Sequence, residues 1–154
     1  MMRWFWLSAV VVIIDQLSKF YVSESLASQP PMELTSWLNL ILAHNTGAAF
    51  SFLGDAGGWQ RWFFVILSSV VSIVIAVWLM RLPKTNICLA SALSLILGGA
   101  VGNLIDRAWF GYVVDFIDFH IDTWHYATFN IADSAIFIGA ILMLIDAFLL
   151  STDE

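Results

Sequence analysis

The chain has 154 residues, of which 60% are apolar and only 12% charged. Its mean hydropathy is +0.86. These values exclude an ordinary soluble domain and predict an integral membrane protein, with one domain because no polar segment is long enough to hold a second core. The formal charge of −6 collects in loops and at one end of the apolar runs. Without a basic patch, a nucleic-acid partner is excluded.

Residues 4–22 are apolar over about the 20 residues needed to cross a bilayer, with Arg3 before them. A secretory signal peptide is the competing reading, since Ser25-Leu-Ala27 resembles a small-residue cleavage site. Asp15 and Lys19 argue against it: four residues apart, they share a helical face and can pair, which lowers the cost of carrying both into the membrane boundary. Residues 23–60 form a long loop. Pro30 and Pro31 stop any helix, and the stretch from Leu34 to His44 predicts one or two short strands before the turn Asn45-Thr-Gly47. Phe50-Ser-Phe-Leu53 is expected to continue in extended or short helical form.

A second span is expected over residues 61–80, bounded by Trp59, Trp62 and Trp78 as interfacial aromatics, and a third over 87–104, where Gly98, Gly99 and Gly102 admit a close neighbouring helix. Cys88 lies inside this third run, with no metal-ligand spacing, and is read as packing; as the single cysteine it excludes an internal disulfide. Asn103, Asp106 and Arg107 follow on adjoining faces of one turn. Residues 105–128 are read as a loop or partly re-entrant segment carrying Asp115, Asp118, Asp122, His120 and His125, and residues 129–150 as the fourth span.

With four spans, the ends of the first and third and the start of the fourth emerge on one side. Asp15, Lys19, Asn45, Asn103, Arg107, Asp115, Asn130 and Asp133 can therefore converge. Any one of them alone reads as an interfacial anchor or cap. Asp115 and Asp133 lie on apolar segments joined by a short loop, as a pair of carboxylates sharing one proton over a water would need. Asp118 and Asp122 read as solvated charge. The three histidines lack ligand spacing, and neither a zinc-protease pattern nor a serine elbow is present. A small ion-coupled carrier is the alternative class, but a carrier should hold its charge near mid-span.

The blocks Asp15-Gln-Leu-Ser-Lys19, Asn45-Thr-Gly-Ala-Ala-Phe50, Gly98-Gly-Ala-Val-Gly-Asn-Leu-Ile-Asp-Arg107, Val114-Asp-Phe-Ile-Asp118 and Phe129-Asn-Ile-Ala-Asp133 occur in order. In them the chain closely resembles lipoprotein signal peptidase, signal peptidase II, a family of bacterial membrane aspartic proteases. The resemblance implies an all-α membrane fold of four transmembrane helices with a small extracytoplasmic β-sheet cradle and a surface helix. It implies Asp115 and Asp133 as the catalytic pair, and Asp15, Lys19, Asn45, Gly47, Asn103, Asp106, Arg107, Asn130 and Ala132 as substrate-binding or supporting positions. It further implies a diacylglyceryl-modified prolipoprotein substrate cut just before its lipidated cysteine, no metal or organic cofactor, and inhibition by globomycin-like cyclic peptides. A monomer is expected in the bacterial inner membrane. Counting Lys and Arg by side gives a tie, and the uncompensated basic loop of Arg81 and Lys84 then puts both termini in the cytoplasm and the active site on the extracytoplasmic face.

Overall fold

The computed structural model describes residues 2–47 and 57–150. Four long helices dominate: α1 (Phe5–Leu26), α2 (Trp59–Arg81), α3 (Ile87–Trp109) and α4 (Ile131–Ile145), the last continued by a π-helical turn over Asp146–Leu150. All four are long and apolar enough to cross a membrane. Their outward faces carry bare apolar side chains such as Trp6, Leu17, Phe20, Ile66, Ile73 and Phe137. In water such a surface would be a liability; against lipid it is matched. α3 continues past the apolar run into its polar end, so Asp106 and Arg107 stand on a helix.

α3 is the hub, packing against each of the other three helices. Its glycines make this possible. A Cβ at Gly98 would come within 2.7 Å of the Val11 Cβ and 2.9 Å of the Ser8 carbonyl on α1. One at Gly99 would collide with the Ala132 carbonyl on α4, and one at Gly102 would lie 2.6 Å from the Asp15 carboxylate. Ser8 also donates from its hydroxyl to the Ser94 carbonyl at 2.8 Å, tying α1 to α3 without a bulky side chain.

At the polar end of the bundle sits a four-stranded antiparallel sheet in sequence order: β1 (Met32–Thr35), β2 (Leu38–Asn45), β3 (Val113–Ile121) and β4 (Trp124–His125). β1 and β2 are the short strands anticipated after Pro31. The sequence predicts a loop or partly re-entrant segment where β3 lies. It is instead a strand buried on both faces over most of its length, which explains why it reads as a nearly continuous apolar run broken by two carboxylates. β2 and β3 pair Asn39 with Asp118 and Leu40 with Ile117, then, past an irregularity, Ala43 with Asp115 and Asn45 with Val113. Phe116 packs on Val22 and Leu26 of α1, seating the sheet on the bundle. The segment Phe50 to Leu53, and any surface helix there, lies outside the described residues.

Because the α3–α4 approach is set by backbone contact, Gly99→Ala is expected to destabilise the protein by about 1–3 kcal/mol, the usual cost of overpacking. Thermal unfolding in detergent checks this; an unchanged melting temperature would mean the helices can move apart without loss.

Candidate active site

One ammonium organises the polar end of the bundle. Lys19 Nζ lies 2.8 Å from Asp15 Oδ2 and 2.9 Å from Asp106 Oδ2, and it donates to Asn103 Oδ1 at 2.9 Å. Asp15, Lys19 and Asp106 are 0%, 3% and 1% exposed, so water screens none of them. Two buried anions for one cation leave an excess negative charge, which is tolerable only if other donors share it. They do. Ala132 N donates to Asp15 Oδ1 at 2.9 Å, Val114 N to Asp106 Oδ2 at 3.1 Å, and the Gln16 amide to Asp106 Oδ1 at 2.8 Å. The cluster thereby joins α1 and α3 to the first turn of α4 and to β3.

Asn130, fully buried, is the N-cap of α4. Its Oδ1 accepts from Asp133 N at 2.9 Å, while Asp133 Oδ2 accepts from Asn130 N at 3.2 Å, a reciprocal capping box. The Asn130 amide also donates to Asp115 Oδ1 at 2.7 Å and to Asn103 Oδ1 at 3.2 Å, and the Asn103 amide donates to Asp133 Oδ1 at 2.8 Å. A continuous hydrogen-bonded path thus runs from Asp133 through Asn103 and Asn130 to Asp115. The main chain enforces the same proximity: Phe129 O accepts from Ile117 N at 2.9 Å, and Phe129 N donates to Ile117 O at 3.1 Å, pinning the start of α4 beside β3.

Asp115 and Asp133 line one cavity of about 1020 Å³, with Asn45, Asn103 and Arg107 on its polar side and Phe129, Ile136 and Phe137 on its apolar side. Burial pushes the Asp115 carboxyl up to about 6 from an ordinary 3.8, with the charge of Asp133 adding to the rise; bonds from Asn45 and Asn130 and the ammonium of Lys19 oppose it. Asn45 donates to Asp115 Oδ2 at 3.0 Å and accepts from Gly47 N at 3.0 Å. The Gly47 carbonyl in turn accepts from Arg107 Nη2 at 3.0 Å. The Arg107 guanidinium stacks over Phe64, 5.2 Å from the ring centre.

The eleven positions that the resemblance implies for the site all lie in this connected region. Asp106 and Arg107, neighbours on the last turns of α3, take different partners: Asp106 pairs with Lys19, and Arg107 is held by carbonyls and an aromatic ring. Asp118, read as solvated, is 4% exposed; it accepts from Asn39 Nδ2 at 3.1 Å and lies 2.9 Å from His125 Nδ1. Asp122 is exposed, as read. The sequence reading also passed over Gln16 and Arg61, whose guanidinium donates to the carbonyls of Arg107 and Ala108 at the end of α3. Arg61 opens α2 and meets the end of α3 only through the tertiary fold, so its spacing in the chain carried no signal. Among the described residues, no group of three His, Cys, Asp or Glu side chains is placed to hold a metal ion.

A model of the signal peptidase (SPase) II family matches residues 7–149. The chain belongs to that family. The lipoprotein signal peptidase of Acinetobacter baylyi is 54% identical over 147 residues, 96% of this chain and 82% of the relative. That of Coxiella burnetii is 51% identical over 142 residues, 92% of this chain and 87% of the relative. A solved bacterial membrane enzyme superposes with a TM-score of 0.85 at 34% identity, covering 99% of this chain and 90% of the other. Membership makes the chain a multi-pass membrane protease.

Two outcomes follow from the electrostatics. Lys19→Met is expected to cost about 3–5 kcal/mol, because it leaves Asp15 and Asp106 buried without their cation; a melting curve like that of wild type would show the ammonium to be dispensable. For Asp115, the folded protein between about pH 4 and 6 binds a proton that the unfolded chain has released. Stability therefore falls as pH rises through that window, by on the order of 3 kcal/mol. Asp115→Asn is expected to lose this slope, so its melting temperature should gain on wild type from pH 4 to 7. Parallel pH curves for the two proteins would contradict the assignment.

Proposed function

We propose that the protein is an aspartic endopeptidase that removes the signal peptide from diacylglyceryl-modified prolipoproteins, cutting just before the lipidated cysteine. The observation that carries this reading is the meeting of Asp115 and Asp133, from separate elements, on one cavity that is polar at the carboxylates and apolar along α4. Two carboxylates in one desolvated site hold a single proton between them. The ionised member takes a proton from water, the protonated member donates to the scissile carbonyl oxygen, and the asparagine path keeps both in place. The apolar wall suits acyl chains, each buried methylene contributing ~0.8 kcal/mol, so lipidation sets both affinity and depth.

Arg107 and Asn45, at the rim of the pair, are suited to hold the substrate backbone, while Asp15, Lys19, Asp106 and Ala132 support the site from behind. The bundle places Arg81 and Lys84 at the end opposite the sheet, which supports cytoplasmic termini and an extracytoplasmic active site in the bacterial inner membrane. The reading extends to inhibition by globomycin-like cyclic peptides, to action as a monomer, and to hydrolysis without a cofactor.

Asp115→Asn and Asp133→Asn are each expected to lower turnover by roughly 10²- to 10⁴-fold or more while the protein still folds, because the amide cannot exchange the shared proton. The test is cleavage of a diacylglyceryl-modified prolipoprotein by purified protein in detergent, with the new N-terminus identified. Turnover near the wild-type rate by either variant would remove that residue from the pair, and an inert, folded wild type would sink the reading.

A further inference from the structure

A second cleft of about 320 Å³ reaches Asp115 from another direction, lined by Ala43, His44, Asn45, Asp115 and His125. It differs in character from the large cavity, which is walled along α4 by Ile136, Phe137 and Ile138. The two share residues 126–128 as a common wall and both open on Asn45 and Asp115. That wall is fixed at both ends. His125 Nδ1 lies 2.9 Å from the buried Asp118, and Tyr126 N donates to Phe119 O at 2.8 Å; beyond it, Phe129 is bonded to Ile117. Asp115 itself is only 2% exposed, and both openings reach it.

Peptide hydrolysis consumes one water per cut. Its oxygen bonds to the scissile carbonyl carbon, the carbon–nitrogen bond breaks, one water proton passes to the ionised carboxylate, and the departing amine takes a proton from the pair, which returns to its one-proton state. A lipid-bearing substrate in the large cavity displaces the water there. We propose that the small polar cleft is the route by which hydrolytic water reaches Asp115 while the large cavity is filled, an inference that rests on the peptidase reading. At ~30 Å³ per molecule the cleft holds roughly ten waters, and its imidazole and amide groups can bond them.

Ala43 lines the cleft and not the large cavity, so a thiol placed there can plug the route after folding. In a Cys88→Ala background, Ala43→Cys is expected to react with a sulfonate-bearing methanethiosulfonate. It is expected to keep reacting when Asp133→Asn is added and lipidated prolipoprotein is bound uncut. A benzyl adduct is expected to lower kcat by at least about tenfold with KM unchanged, and a methyl adduct by less. A folded protein whose introduced thiol is unreactive overturns the route, as does a benzyl adduct with full kcat. A raised KM at unchanged kcat also overturns it and makes the cleft a peptide subsite. A wild type that fails to cut lipidated prolipoprotein sinks the peptidase reading instead, and the thiol's reactivity then still decides whether water enters here.

Discussion

The structure depends on the Lys19 ammonium held between Asp15 and Asp106. A lone carboxylate at the edge of the hydrocarbon is costly, and two without a cation would be prohibitive. With Lys19 in place, the two carboxylates can spend their remaining lone pairs on main-chain amides. Asp15 fixes the first turn of α4 through Ala132 N, and Asp106 fixes the start of β3 through Val114 N. These are the segments that carry Asp133 and Asp115. The buried ion cluster thus sets the spacing of the second pair of acids without touching either.

The two pairs divide the labour by environment. Asp15 and Asp106 face a cation and backbone donors, which hold them in fixed positions. Asp115 and Asp133 face asparagine amides and an open cavity. Neutral amide donors orient a carboxylate while stabilising its charge less than an ammonium does, which leaves the proton inventory of that pair adjustable.

Much of this was legible in the sequence because polar residues at the membrane edge are expensive, and every one of them raised a question. Asp15 and Lys19 were legible as a pair from their spacing alone, and the small residues of α3 announced a close helix contact. β3 was not legible as a strand, because its carboxylates at positions 115 and 118 break the apolar run that would have marked it, and a strand buried on both faces lacks alternation. Asp118 was misjudged for a related reason: its partners, Asn39 and His125, come from opposite sides along the chain and meet only once the sheet has formed. Asn130-Ile-Ala-Asp133 could have been read as a capping box, which would have fixed the start of α4.

The irregular pairing between Leu40 and Ala43 has a consequence in parity. Side chains along a strand alternate between faces, so Asn39 and Asn45, six positions apart, would ordinarily share one face. Asp118 and Asp115, three apart, stand on opposite faces of β3. No regular pairing could match each amide to its own carboxylate. The one-residue slip turns β2 over midway, so that Asn39 meets Asp118 on one face and Asn45 meets Asp115 on the other. β2 works as a frame shift written in space, and the number of residues between Leu40 and Ala43 matters to the site as much as their identity does.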